Sequence, residues 1–215
     1  MFIQSLQHFL ITTEKKIYSY KVLFWLSLSL ILSIIYSLLV LRQAFDGDYI
    51  VQDDARKHLF WMSRFLYPGV FPNDLIANFF QSVEPWGLIA VYQFFAWFNL
   101  DPMVVNKCLP LGLGMIMTYY CFGICFEVFP VPIAAFITTT LFNQSIWMKD
   151  IFVAAIASSF SYPLFFGFLY YFLTQSHTYM IAFLILEGLF YPPCILLSAS
   201  LILISLFEYK KKISL

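Results

Sequence analysis

Two adjacent carboxylates followed by three cations are the residues of this sequence whose types and spacing best fit chemistry. Asp53 and Asp54 open an amphipathic segment, and Arg56, Lys57 and His58 follow directly. Adjacent carboxylates at a helix end point in different directions, so one can face a substrate while the other binds a cation. The alternative is that both only stabilise the helix start, where the helix dipole favours negative charge. From the residues alone, both interpretations stay open.

Two further places carry charge within or between apolar runs. Lys149 and Asp150 stand side by side between two such runs, and Glu187 lies inside another. Acids within membrane segments are candidates for function by default. Glu187, however, precedes the Pro192-Pro193 pair by five residues, and the end of a helical hairpin would also accommodate it. These two interpretations of Glu187 have equal weight.

The composition indicates which class of protein positions these residues. Of 215 residues, 61% are hydrophobic, 21% are aromatic and only 11% are charged, with zero net charge. A soluble domain carries about 25% charged residues, because its surface must be wetted. The composition therefore excludes a secreted disulfide scaffold, a disordered regulator and a basic nucleic-acid binder. In lipid, each segment must satisfy its own backbone groups, so we predict an all-α, polytopic transmembrane helix bundle whose partner is the bilayer.

Continuous apolar runs predict about six spans. The first has 20 residues without a charge, enough to cross a hydrocarbon core of about 30 Å. Pro192 and Pro193 divide the last run into two short segments. The predicted spans are Val22–Leu41, Cys108–Phe126, Val131–Met148, Ile151–Leu173, Tyr179–Tyr191 and Cys194–Phe207.

The lysines at both ends of the chain predict its orientation. Lys15, Lys16 and Lys21 precede the first span, and three lysines from Lys210 follow the last. Because cytoplasmic segments carry an excess of basic residues, we expect both termini in the cytoplasm and an even number of crossings in a bacterial plasma membrane. The organisation is then a cytoplasmic segment (1–21), a transmembrane module (22–207) and a basic cytoplasmic tail (208–215).

Two topologies satisfy this rule. In the preferred one, Gly87–Phe98 lies in the interface without crossing, and Lys149 and Asp150 are external. In the alternative, Gly87–Phe98 crosses, Tyr179–Phe207 passes as one tilted helix, and the lysine–aspartate pair lies on the opposite side.

The large external loop (42–107) holds most of the polar chemistry. It carries seven of the twelve acidic and five of the twelve basic residues. Asp46-Gly47-Asp48 predicts a turn. Residues 53–66 read as an amphipathic helix, and a second short helix follows from Pro72 to Phe80, capped by Asn73 or Asp74. Apolar faces with aromatic residues are typical of helices that lie in the bilayer interface. The first helix has its apolar stripe at Ala55, Leu59, Met62 and Leu66.

At this point the sequence resembles a known family. A first span followed by Asp53-Asp54-Ala55-Arg56 is similar to the acidic motif of the GT-C glycosyltransferases. The segment Glu84–Tyr92 resembles their proline-led second interfacial helix, and Lys149-Asp150 stands where they have a later charged motif. Gln52–Gln81 and Leu186–Pro193 look like uncharacterised cyanobacterial multi-pass proteins of GT-C-like architecture. Family members have more spans, so a truncated or partial member is expected.

The resemblance implies sugar transfer from a polyprenyl-phosphate donor to an acceptor hydroxyl or amide at the outer membrane face. It implies that Asp53 is the general base and that Asp54 orients it or binds a cation. Positive charge must stabilise the departing phosphate. A divalent cation, Mg or Mn, on Asp54 and Asp150 is a further expectation. The implied phosphate-binding residues are Arg56, Lys57, His58 and Lys149, and Asp150 is the implied second carboxylate.

Two other functions fit the same sequence. A transporter is indicated by the helix break at Pro192-Pro193 and the intramembrane Glu187, since broken helices form transport sites. A non-catalytic subunit bound to a partner membrane chain is indicated by 26 Phe and 14 Tyr, which suit lipid-facing or partner-facing surfaces.

Overall fold

The computed structural model describes residue 13 and residues 19–47 and 51–213, with side chains up to residue 207. Within these ranges the chain forms ten α-helices and one 3-10 helix and no strand, which confirms the predicted all-α class. Most of the predicted N-terminal segment and Asp48 lie outside the described residues. The elements are α1 (Tyr20–Phe45), α2 (Asp53–Leu59), the 3-10 helix (Phe60–Phe65), α3 (Leu75–Val83), α4 (Trp86–Trp97), α5 (Pro102–Val128), α6 (Pro132–Ile146), α7 (Asp150–Val153), α8 (Ala157–Leu173), α9 (His177–Phe190) and α10 (Pro193–Ile213).

Two of these helices, α1 and α5, are long and apolar enough to cross a membrane. They have 26 and 27 residues and mean hydropathies of 2.3 and 1.6 over their most apolar windows. Ser19 accepts a hydrogen bond from the Val22 amide at the start of α1, and Asp101 does the same for Met103 at the start of α5. Such caps satisfy amides that have no partner within the helix. Two of the other four predicted spans coincide with the shorter apolar helices His177–Phe190 and Pro193–Phe207. The crossing of all four stays a prediction.

The helices form one bundle in which α5 is central. It packs against α1, α6 and α8; α1 also packs on α6, α8 on α9, and α9 on α10. Close approach depends on small residues, since a Cβ at Gly114 of α5 would overlap the Trp147 ring. Between α1 and α6, the hydroxyls of Ser29 and Thr139 are hydrogen-bonded at 2.9 Å. Small and hydroxylated residues at contacts are typical of helix packing in membranes.

The predicted break at Pro192-Pro193 is confirmed. Helix α9 ends at Phe190 and α10 begins at Pro193, so the two helices fold back on each other as a hairpin. A proline at the first helical position costs no hydrogen bond. Helix α10 continues to Ile213, so the backbone of the predicted cytoplasmic tail is helical over most of its length.

Elements of the predicted external loop gather where α1 ends and α5 begins, and we call this the loop end of the bundle. Lys107 of α5 donates a hydrogen bond to the carbonyl of Gly47, just after α1. The Tyr92 hydroxyl of α4 donates to the carbonyl of Ala155, and a Cβ at Gly87 of α4 would overlap the Phe190 ring of α9. Helix α4 thus lies against the loop end, and whether it crosses a membrane stays a prediction.

The predicted continuous span Ile151–Leu173 is wrong. The chain instead forms the single-turn α7, turns at Ala154–Ile156, and starts α8 at Ala157. Ala155 has a positive φ of 47°. The turn persists because buried polar groups satisfy it: Ser159 donates to the Ile151 carbonyl and accepts from the Ile156 amide. Backbone held in this region costs free energy and requires such compensating contacts.

The first predicted loop helix is shorter than expected. It is α-helical only to Leu59 and continues as the 3-10 helix. Three of the four residues of its predicted apolar stripe, Ala55, Leu59 and Met62, are fully buried, whereas Leu66 is only partly buried and Trp61, outside the stripe, is fully buried. The second helix starts at Leu75, where Asp74 is the cap: its carboxylate accepts from the amides of Ile76 and Ala77 at 2.8 and 2.9 Å.

Candidate functional site

The predicted acidic pair lies on the surface at the first turn of α2. Asp53 is the first helical residue and the side chain of the N-cap Gln52 makes no capping hydrogen bond, so the pair does not act as helix caps. Both carboxylates instead contact Lys57, whose ammonium lies 2.5 Å from Asp53 Oδ2 and 3.9 Å from Asp54 Oδ1. The hydrogen bond from Lys57 lowers the pKa of Asp53 below its usual value and raises the pKa of Lys57. The two aspartates and Lys57 therefore form a charged cluster on the protein surface.

The four predicted phosphate-binding residues have different surroundings. Arg56 donates from Nε and Nη2 to the carbonyl of Val51, both at 3.2 Å. Lys57 is held by the two aspartates, whereas Lys149 is exposed and makes no ion pair within the part of the chain that the structure describes. His58 alone has a buried charged partner, which is Glu84.

The contact between His58 and Glu84 joins residues 26 positions apart. His58 Nδ1 lies 2.6 Å from Glu84 Oε1. Only 3% of the Glu84 side chain is exposed, against 37% for His58. Burial raises the pKa of Glu84, and the contact with His58 acts in the opposite direction. Sequence reasoning missed Glu84 as a site residue; its place before Pro85, at the start of an apolar helix, was the available signal.

A second buried polar contact fixes the connection between α7 and α8. Asn106 of α5 donates from Nδ2 to the carbonyl of Ala154 at 2.6 Å and to the Tyr92 hydroxyl at 3.1 Å. Tyr92 in turn donates to the carbonyl of Ala155 at 3.3 Å. Burial raises the pKa of Tyr92, so its hydroxyl stays protonated. Sequence reasoning missed both residues, although an asparagine between apolar positions of α5 was a visible signal.

A small cleft at the loop end connects the predicted site segments. Its volume is about 80 Å³, room for a few water molecules rather than for a sugar. Its wall contains Gln52, the residue before Asp53, and Val153, three residues after Asp150. The side chains of Asp53 and Asp150 themselves do not line it. The complete lining is Val40, Gln43, Ala44, Val51, Gln52, Asn106, Lys107 and Val153.

The described residues do not provide a ligand set for the expected divalent cation. Among the described residues, no three His, Cys, Asp or Glu side chains are grouped as a metal site would require. Asp54 contacts Lys57, and Asp150 is an exposed first residue of α7. The two residues predicted to hold the metal therefore do not form a site for it, and no chemical step is assigned to a metal.

Glu187 is a residue of α9, and its carboxylate contacts α10. It is fully buried, and its Oε1 accepts a hydrogen bond from the Ser198 hydroxyl at 2.9 Å. Its Oε2 is buried without a hydrogen-bond partner among the described residues. The contact with Ser198 favours the interpretation that the hairpin accommodates this acid, while the second oxygen leaves a polar group unsatisfied.

No protein-family model, curated protein or solved structure matches the chain. The structure defines only the class: the described part of the chain is all-helical and contains two helices long and apolar enough to span a membrane.

Proposed function

We propose that this protein is a multi-pass membrane protein of the GT-C glycosyltransferase type, which transfers a sugar from a polyprenyl-phosphate donor to an acceptor. The observation that supports the proposal is a proximity at the loop-end cleft, which is itself too small to hold the sugar. The cleft brings the segment that leads into Asp53 together with the segment that follows Asp150. These are the two charged segments for which the resemblance implies a role, and almost 100 residues separate them in the sequence.

The membrane setting is supported by the exposed apolar surface. Helix α3 exposes Leu75, Ile76, Phe79 and Val83, and Trp86 follows at 79% exposed. Such a face is costly in water and favourable in the bilayer interface. We propose six crossings by α1, α5, α6, α8, α9 and α10 in a bacterial plasma membrane, with both termini cytoplasmic and the loop end external. The same apolar surfaces suit contact with a partner membrane chain.

In this mechanism, Asp53 takes the proton of the acceptor hydroxyl or amide while the acceptor oxygen or nitrogen bonds to the anomeric carbon of the sugar. The bond from that carbon to the phosphate oxygen breaks, and the polyprenyl phosphate leaves with the electron pair. The hydrogen bond from Lys57 keeps Asp53 ionised, which a base requires, but it also occupies one carboxylate oxygen. The acceptor must therefore bind at the other oxygen or displace Lys57. Asp54 keeps Lys57 close, and cations at the loop end stabilise the leaving phosphate.

The test is sugar transfer by the purified full-length chain in proteoliposomes with polyprenyl-phosphate sugars and membrane-extracted acceptors. Asp53→Asn should lower transfer by about 10²- to 10⁴-fold, the usual contribution of a general base. Asp46→Asn, at the same end of the bundle, is the matched control and should leave the rate unchanged. Full transfer by the Asp53 variant would remove this residue from the mechanism, and no transfer by the wild type would count against the function.

Transport is the second candidate, favoured by Glu187. This acid is fully buried beside the helix break, with one oxygen lacking a partner among the described residues. A transporter would show solute flux into proteoliposomes that Glu187→Gln abolishes and Asp53→Asn does not affect.

A further inference from the structure

Among the four predicted phosphate-binding residues, only His58 is held in position by a buried side chain. Its Nδ1 contacts the buried carboxylate of Glu84 at 2.6 Å, and its ring packs edge-on against Phe80 with centroids 5.2 Å apart. Glu84 is itself fixed, because its amide donates to the Phe80 carbonyl at the end of α3 and Pro85 follows. The imidazole therefore has a defined orientation.

The second ring nitrogen of His58 is open. Nε2 makes no hydrogen bond to a described residue, and it is not among the buried polar atoms that lack a partner. More than a third of the side chain is exposed. An imidazole held at Nδ1 by a carboxylate and open at Nε2 is the usual way of presenting this nitrogen to a ligand.

The other three candidates lack this combination. The Arg56 guanidinium is hydrogen-bonded to a backbone carbonyl on the surface, and Lys57 is neutralised by two carboxylates. Lys149 is exposed, with no described partner that would hold its ammonium in place. A free and flexible ammonium gains less from an anion than a pre-oriented donor, because binding must first order it.

We propose that Glu84 positions His58 as a phosphate-binding group, with the Nε2–H of an imidazolium donated to a phosphate oxygen. Glu84 holds the ring through Nδ1, and a buried carboxylate in turn needs a cationic or hydrogen-bonding partner. The inference rests on the proposed function in taking the phosphate of a polyprenyl-phosphate donor as the ligand.

This arrangement makes phosphate binding dependent on pH. Both ring nitrogens must carry hydrogen, Nδ1 toward Glu84 and Nε2 toward the phosphate, so affinity should fall as the pH rises. Asp54 stands one helical turn before His58 on α2 and opposes an anion there. The charged side chains on His58's own helix and on the elements packed around it at the loop end are Asp53, Asp54, Arg56 and Lys57 on α2, Arg64 on the 3-10 helix, Glu84 after α3 and Lys107 on α5, and Tyr92 on α4 is a further titratable group.

The experiment uses the full chain in phosphatidylcholine nanodiscs, with ring nitrogens of histidine labelled for NMR. The sequence has only three histidines, so His58→Gln assigns the signal. The probes are inorganic phosphate, farnesyl phosphate, farnesol as the phosphate-free control, and inorganic sulfate as a tetrahedral anion of constant charge. Phosphate probes should shift the His58 Nε2 signal, and sulfate affinity should fall at least about tenfold between about pH 5.5 and about pH 8.5.

Two variants test the roles of the pair. His58→Gln and Glu84→Gln should each weaken phosphate binding about tenfold or more, the value of a charge-assisted hydrogen bond. His177→Gln, an exposed histidine at the start of α9, is the matched control and should bind as the wild type does. If Glu84→Gln does not fold, the wild-type Nδ1 signal still reports the pair, because it must show a proton shared with a carboxylate.

Each outcome has a defined meaning. Binding of both phosphate probes supports recognition of the phosphate itself, and binding of farnesyl phosphate alone supports a lipid-linked phosphate. Binding of inorganic phosphate alone supports the His58 site but assigns it to free phosphate. Unchanged affinity in His58→Gln, or affinity independent of pH for sulfate, would overturn the proposal. This experiment measures binding and not sugar transfer. Phosphate binding at His58, together with no sugar transfer in the proteoliposome assay, would support this inference and count against the proposed function.

Discussion

Replacing Asn106 by leucine removes the donor that holds the connection between α7 and α8. Asn106 is 3% exposed, and its amide is the described hydrogen-bond donor to both Ala154 O and the Tyr92 hydroxyl. Leucine has the same number of side-chain heavy atoms and the same branch at Cγ, so the change removes the hydrogen bonds while it keeps the shape of the side chain. An orphaned buried carbonyl costs about 1–3 kcal/mol, and a lost bond to the tyrosine adds about 1 kcal/mol.

We therefore expect Asn106→Leu to lower the free energy of unfolding by about 2–4 kcal/mol. This exceeds the average of about 0.6 kcal/mol for a polar contact between membrane helices, because here the partner carbonyl belongs to a turn with positive φ. The assay is reversible unfolding in mixed micelles with increasing dodecyl sulfate, followed by circular dichroism. Gln93→Leu, an exposed amide of α4, is the control.

The double variant with Tyr92→Phe refines the test. Because the Asn106 amide donates to the Tyr92 hydroxyl, the two single effects should not add, and the coupling should be about 0.5–1.5 kcal/mol. If the free energies of unfolding of Asn106→Leu and of the Gln93→Leu control differ by less than about 0.5 kcal/mol, the reasoning that this network stabilises the turn is refuted.

Two further predictions concern other polar contacts. Ser198→Ala leaves Glu187 Oε1 without its described partner and should lower the free energy of unfolding by about 1–3 kcal/mol in the same assay, whereas the exposed Ser205→Ala should not. Lys57→Met should raise the pKa of Asp53 toward its usual value of 3.8, measured by NMR of the carboxyl carbon. The sign follows from the lowered pKa in the folded protein: any stabilisation by this pair is present above pH 3.8 and is lost as the pH falls through the lowered value. A pKa of Asp53 that does not move in the variant would contradict the assigned cause.

Local signals in the sequence were sufficient for much of the fold. The apolar run of α1 predicts a helix of spanning length, and Pro192-Pro193 predicts the break between α9 and α10, since neither depends on distant residues. Of the two residues predicted as the cap of α3, Asp74 is confirmed. It was predictable because capping involves only the next two or three amides. The start of the predicted stripe, Ala55 and Leu59, is correct because both residues lie in the α-helical part, where helical periodicity determines which residues share a face.

Features that depend on distant contacts were not predictable. The run from Ile151 to Leu173 is apolar throughout and reads as one helix, yet Asn106 and Tyr92 supply hydrogen bonds to the carbonyls of Ala154 and Ala155. These bonds satisfy backbone groups that the helix would otherwise satisfy. The shift from α-helix to 3-10 helix after Leu59 likewise has no signal in the local sequence.

The sequence by itself determined that this is an apolar, all-helical chain and that Asp53, Asp54 and Lys57 share the first turns of one helix, because composition and residue spacing are local properties. The contacts of Lys57 with both aspartates are also local, since they join residues three and four positions apart in that helix. Only the tertiary structure decided that Glu84 contacts His58 across 26 positions, and that the segments next to Asp53 and Asp150 line one cleft. The physical reason is that burial and charge pairing depend on which helices pack together, and the linear order of residues does not contain that information.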